Sequence, residues 1–119
     1  MPTFRTLLAT TLLAVLVTAA PAQAELRRCS LAGKERRLGA TYVTSLKVSG
    51  ISCRSAEDVV KAFHRCRRAN GGADGRCTRQ VSGFKCTESR FNKISTQYDA
   101  RVSCRRTGKR IDFTYTQFT

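Results

Sequence analysis

Six cysteines, Cys29, Cys53, Cys66, Cys77, Cys86 and Cys104, constrain this chain more than any other feature. An even count in a small exported domain reads as a disulfide framework, and three bridges supply stability that so small a core cannot. The export reading comes from the start of the chain. Arg5 gives a positive n-region, Leu7 to Val17 a mostly apolar run, and Ala22-Gln23-Ala24 a small-residue cleavage site. That run is shorter than the roughly twenty apolar residues of a bilayer span, and no later stretch approaches it. The expectation is a signal peptide over 1–24 and a secreted or periplasmic remainder of 95 residues with no transmembrane segment. Arg27 and Arg28 before Cys29 fit a lipoprotein cleavage site poorly. No two cysteines form the C-x-x-C knuckle of a zinc site, so no metal and no other cofactor is expected. Six cysteines allow fifteen pairings. The expected set joins Cys66 to Cys77, closing a loop worth about 3 kcal/mol in the chain-entropy model. It joins Cys53 to one of Cys86 and Cys104, and Cys29 to the other.

The stretch from Val48 to Gly72 organises the remainder. Ser55 is the expected N-cap of a helix, with Glu57 and Asp58 in its first turn, where free N–H groups favour negative charge. Ala56, Val59, Val60, Phe63 and Cys66 recur at three- and four-residue steps as one apolar stripe. Glu57 stands four residues before Lys61, the favoured ion-pair order. Arg67 and Arg68 complement the carbonyl end, and Asn70-Gly71-Gly72 stops the helix.

Strand patterns flank it. Tyr42 to Ser49 alternates, which would place Tyr42, Thr44, Leu46 and Val48 on one face. Gln80 to Thr87 alternates around Phe84 and Cys86. Glu88 to Gln97 fits either a helical turn or a loop. Ala100, Val102 and Cys104 share one face, and the turn Arg106-Thr107-Gly108-Lys109 leads into Ile111, Phe113 and Tyr115, the clearest hairpin in the chain. The expected architecture is α+β: one amphipathic helix packed on a small, mainly antiparallel sheet in the order β-α-β-β-β, disulfide-stapled. Its domain would span 42–119, preceded by a basic N-terminal arm over 25–41 tethered through Cys29.

Charge is the other strong signal. The mature part keeps 21 of the 22 Lys and Arg and all 8 Asp and Glu, a net charge of +13. Such a surface attracts glycans with acidic groups, lipopolysaccharide, teichoic acid, lipid headgroups and nucleic acid. The sequence leaves open the plainer reading of a solvated basic surface. The candidate polyanion-binding residues are Arg65, Arg67 and Arg68 on the helix, Arg76 and Arg79 after it, and Arg105, Arg106, Lys109 and Arg110 around the hairpin turn. Arginine forks suit phosphate and carboxylate. Aromatic platforms for single-stranded nucleic acid are sparse: Phe113 and Tyr115 point inward by alternation, leaving Tyr98 and Phe118.

Catalytic signals are weak, and no catalytic residue is assigned. His64 is the only histidine, which excludes two-histidine acid–base schemes. It is expected at the edge of the apolar stripe, near the helix C-terminal dipole. A ribonuclease-like pair with Glu57 would place the two Cα atoms roughly 10 Å apart, too far for one concerted proton relay. No serine sits in a G-x-S-x-G setting, and Gly71-Gly72-Ala73-Asp74-Gly75 lacks the lysine and hydroxyl of a phosphate loop.

The spacing Val48-x4-Cys53-x2-Ala56-x2-Val59-Val60, then Gly83-Phe84-x-Cys86, then Val102-x-Cys104-x3-Gly108 resembles a pattern of small exported bacterial domains. The resemblance covers most of the mature chain through short structural motifs. It implies the α+β fold and a periplasmic or extracellular setting, and it implies no activity. Cys29, Cys66 and Cys77 lie outside its three-cysteine version, so it assigns no bridges. The leading expectation is a monomeric, non-enzymatic exported domain that engages an anionic envelope or extracellular polymer. The alternatives are a protein-binding module, such as a hydrolase inhibitor or toxin-like effector using Asn70 to Arg76, and a polyanion-degrading enzyme with His64 as base.

Overall fold

A computed structural model describes residues 1–2, 12–18 and 25–119. Most of the expected signal peptide, including its cleavage site, lies outside these residues. The described chain forms β1 (Arg27–Arg28), β2 (Tyr42–Ser49), one helix α1 (Cys53–Ala69), a short 3-10 turn (Gly72–Asp74), β3 (Lys85–Ile94), β4 (Gln97–Arg106) and β5 (Lys109–Phe118). The strands make a five-stranded antiparallel sheet in the order β1-β2-β5-β4-β3. The α+β architecture expected from the sequence is present, with β1 as an added edge.

Helix α1 starts earlier than the sequence suggests. Ser52, in extended conformation, is the N-cap, and its hydroxyl accepts from the Ser55 N–H at 3.1 Å. Glu57 and Asp58 therefore fall in the second turn, beyond the free N–H groups. Glu57 pairs with Lys34 at 2.9 Å, across the chain, in place of Lys61. The apolar stripe holds: Ala56, Val59, Val60, Phe63 and Cys66 are buried against the sheet. Phe63 meets Phe113 edge to face at 5.5 Å between ring centres. Such pairs add about 0.5–1.5 kcal/mol to the burial of the rings themselves.

Three strand expectations change. In β2, Val43 pairs with Tyr115 but Ser45 pairs with Thr114, so Thr44 is a bulged residue. The bulge moves Val43, in place of Tyr42 and Thr44, to the covered face with Leu46 and Val48. The run from Gln80 to Thr87 is not one strand. Val81 and Phe84 bridge across a tight turn at Ser82 and Gly83, both with positive φ, and β3 begins at Lys85. Glu88 to Ile94 then continues as strand and folds back through Ser95-Thr96 into β4.

The bridges are Cys29–Cys53, Cys66–Cys77 and Cys86–Cys104. The Cys66–Cys77 expectation holds and the other two are corrected. Cys86 and Cys104 stand directly opposite each other on β3 and β4, so they pair within the sheet. Cys53, at the helix start, meets Cys29 just after β1, whose N–H bonds to the Leu46 carbonyl at 2.9 Å. Residues 25–41 are thus no loose arm: Cys29, Leu38 and Ala40 belong to the core. Among the described residues no helix is long and apolar enough to cross a membrane.

Proteolysis of the unreduced protein followed by mass analysis should return these three linked peptide pairs. Replacing Cys66 and Cys77 together by alanine should lower unfolding free energy by about 3 kcal/mol in urea titration. Linkage of Cys53 to a sheet cysteine would refute this topology.

Candidate functional site

One helix cannot cover both sides of a sheet, and the two faces differ accordingly. On β5, Ile111, Phe113, Tyr115 and Gln117 are buried toward α1, while Asp112, Thr114 and Thr116 alternate to the other side. On β4, Tyr98, Ala100, Val102 and Cys104 face the helix, leaving Asp99, Arg101, Ser103 and Arg105 on the open face.

The covered side claims several residues that the sequence assigns to the surface. Arg67 lies four residues beyond Phe63, on the same stripe, and is fully buried. Its Nε donates to His64 Nδ1 at 2.7 Å, one Nη to the Ala73 carbonyl at 3.0 Å, and the other to Gln117 Oε1 at 2.5 Å. The guanidinium also lies over the Tyr115 ring, 4.8 Å from its centre. Burial lowers the pKa of Arg67, and its direct partners are all neutral. A cation so engaged binds no external polymer. Tyr98 is equally buried and donates to the Ala73 carbonyl at 2.7 Å, so it is no stacking platform. Phe118 remains about half exposed, with its ring edge-on to Tyr42.

His64 is likewise internal rather than marginal. It packs against Phe63, Phe113 and Tyr115, and Gly39 lies against its Cβ. A Cβ on Gly39, whose φ is +102°, would come within 2.7 Å of that atom, so only glycine fits. Burial, then the charges of Arg67 and Arg68, push the imidazole pKa down to about 2. Acceptance of the Arg67 hydrogen bond at Nδ1 places the proton on Nε2, which has no partner among the described residues. With Glu57 held by Lys34, no His64–Glu57 acid–base pair exists.

A second buried set closes the layer. Glu88, on β3 facing the helix, accepts from Arg90 at 3.0 Å, from Arg76 at 3.3 Å and from the Tyr115 hydroxyl. Burial and this hydrogen bond raise the Tyr115 pKa. Arg90 stacks on Tyr98 at 4.3 Å and donates to the Asp74 and Gly75 carbonyls at 2.8 and 2.5 Å. The loop from Asn70 to Arg76 is therefore fixed by its own carbonyls.

The remaining candidates are dispersed. Arg65 and Arg79 are exposed; Arg68 is exposed but donates to the Gly39 carbonyl at 2.9 Å. At the hairpin, Arg106 opposes Lys109 on the helix side, while Arg105 opposes Arg110 on the open face. The sequence reading missed the neighbours that join Arg105 and Arg110. Lys85 on β3 stands opposite Arg105, so Lys85, Arg105 and Arg110 form one row across three strands. Adjacent members of such a row are about 4.8 Å apart in backbone spacing. The next row is Thr87, Ser103, Asp112 and Lys47, and the third is Ser89, Arg101, Thr114 and Ser45.

These second and third rows line an open groove of about 510 Å³, with Leu26 at its rim. The floor is ordered by local bonds. The bulge turns both Thr44 and Ser45 toward Thr114, and each hydroxyl lies 2.6 Å from its oxygen. Asp112 accepts from Ser103 at 2.8 Å and from Arg110 at 3.0 and 2.8 Å. Burial alone would raise its pKa, but these hydrogen bonds and the charges of Arg110 and Arg105 hold the carboxyl below the usual range. Among the described residues Lys47, Lys85, Arg101 and Arg105 have no carboxylate within ion-pair distance. No group of three or more His, Cys, Asp or Glu among them could hold a metal ion.

His64 generates a pH prediction. Its folded pKa, about 2, lies below the free value of 6.5, so the unfolded chain takes up the proton first as pH falls. The neutral-histidine contribution is complete above pH 6.5 and declines below it, by about 2 kcal/mol at pH 5. Urea titrations at pH 7.5 and 5 should show that loss in the native protein and not in His64→Asn, whose Oδ1 can still accept from Arg67. An equal loss in both would place the titrating group elsewhere. No protein-family model matches this chain, and no curated protein or solved structure is significantly similar to it, so the open face must be read from its own chemistry.

Proposed function

We propose that this protein is an exported, non-enzymatic binding domain that engages anionic polymers through the open face of its sheet. The observation that carries the reading is the set Lys85, Arg105, Lys47 and Arg101, held in register on one open face with no carboxylate within ion-pair distance among the described residues, while Arg110 beside Arg105 is paired with Asp112. Arg28, opposite Lys47 on β1, extends it to the sheet edge. Only Asp99 and Asp112 offset this charge on the central strands, and both are engaged. Asp99 accepts from Thr116 and Asn92, which hold its carboxyl below the usual range, and Asp112 from Arg110 and Ser103. A rigid sheet presents these cations at fixed spacing, which lowers the entropy lost on binding a regular polyanion. The three disulfides and the leader-like start of the chain support an oxidising, extracytoplasmic setting.

The rival readings draw less support. The loop from Asn70 to Arg76 turns its carbonyls inward and carries mostly glycine, Ala73 and Asp74, which gives a protein partner little side-chain surface. A polyanion-degrading enzyme would need His64 at the surface, and it is sealed within the core.

Binding of the oxidised chain to a labelled acidic glycan should weaken steeply with salt, because released counterions set the slope. Arg105→Ser should weaken binding about three- to tenfold and make the salt slope shallower by about one. Lys109→Ser, on the opposite side of the same hairpin, should leave both nearly unchanged. Equal effects from the two changes would show that net charge alone, rather than this face, does the binding.

A further inference from the structure

Resting on that reading, we infer that the groove between the second and third rows is a subsite for a carboxylated sugar unit, so that the polymer engaged is an acidic glycan. Simple polyanion capture requires only cations, and this groove holds more. Ser45, Thr87, Ser89, Ser103 and Thr114 set hydroxyls along it, with Lys47 and Arg101 among them. A hydroxyl both donates and accepts, the property needed to match the several hydroxyls of a sugar ring. Asp112 lies on the same floor. Its two oxygens offer about four acceptor positions, and the three bonds from Ser103 and Arg110 leave room for a sugar O–H.

That carboxylate argues against phosphate polymers. A phosphodiester brings only acceptors and negative charge toward Asp112, whereas a sugar brings donors. The missing stacking platform argues the same way. Tyr98 is buried, and the Arg101 guanidinium covers the Phe91 ring at 4.5 Å, so bases find no free aromatic face in the groove. The Leu26 rim offers apolar surface to the C–H face of a ring. The guanidinium of Arg101 provides the planar fork that pairs with a carboxylate. At about 510 Å³ the groove falls within the range of small-molecule sites, about 300–1,000 Å³.

The test is calorimetric titration of the oxidised protein with tetragalacturonate and with tripolyphosphate, at low and physiological salt. Two variants remove groove hydroxyls without changing charge. Ser89 is exposed and its hydroxyl has no hydrogen-bond partner among the described residues, so Ser89→Ala should fold normally; Thr114→Val is the second, checked by its urea midpoint. Tetragalacturonate should remain bound at a salt concentration that releases tripolyphosphate. Each variant should weaken tetragalacturonate about three- to tenfold, the loss of one or two modest hydrogen bonds, and leave tripolyphosphate unchanged. Parallel behaviour of the two ligands, with both variants silent, would overturn the sugar subsite and leave polyanion binding standing. Failure of both ligands to bind at low salt would overturn the two readings together.

Discussion

One helix covers one side of a five-stranded sheet, and most of the molecule follows from that asymmetry. The covered side must be dry, so β2, β4 and β5 place Leu46, Val48, Val102, Ile111 and Phe113 against the stripe from Ala56 to Cys66. Among the described residues no layer lies above the other side, so burying apolar residues there would gain nothing. It carries serine, threonine, lysine and arginine in cross-strand rows. The disulfides divide the remaining work: one ties the helix start to the sheet edge, one fixes the helix end to the following segment, and one cross-links neighbouring strands.

The covered side also contains the least expected chemistry. A buried arginine is costly unless each of its donors finds a partner. Arg67 meets this with a histidine nitrogen, a carbonyl and an amide oxygen, and with the face of Tyr115. The arrangement requires His64 to be neutral, since a protonated Nδ1 could not accept and would bring two cations together. His64 thereby becomes a structural acceptor. Because Tyr98, Arg67 and Arg90 all reach carbonyls of the 73–75 segment, the same network secures the loop after the helix.

The readable parts of the sequence were those where apolar spacing had a single interpretation. The helix stripe, the β4–β5 hairpin and the α+β class follow from periodicity, and Cys66–Cys77 from proximity. β3 was illegible because its helix-facing positions are Cys86, Glu88 and Arg90, so a buried ion pair replaces the apolar alternation that marks strands elsewhere. The face of Tyr42 is hidden in the sequence because a bulge at Thr44 resets the alternation without any glycine to mark it. Arg67 could have been placed inside: it continues the Val60–Phe63 spacing, although its charge argued for the surface. The open face was half visible. Arg105 and Arg110 are near each other in sequence, but Lys85, Lys47 and Arg101 join them only through strand register, which a linear chain does not display.

Function turns on whether this open face, rather than positive charge in general, recognises the ligand. The most direct measurement is an NMR titration of the oxidised, isotopically labelled protein with tetragalacturonate at physiological salt. Recognition by this face should give saturable amide shifts concentrated at Ser45, Ser89, Arg101, Ser103, Asp112 and Thr114, with the exposed helix positions Arg65 and Arg68 unmoved. Shifts spread evenly over exposed arginines on both sides of the molecule, or gathered on the helix, would contradict it.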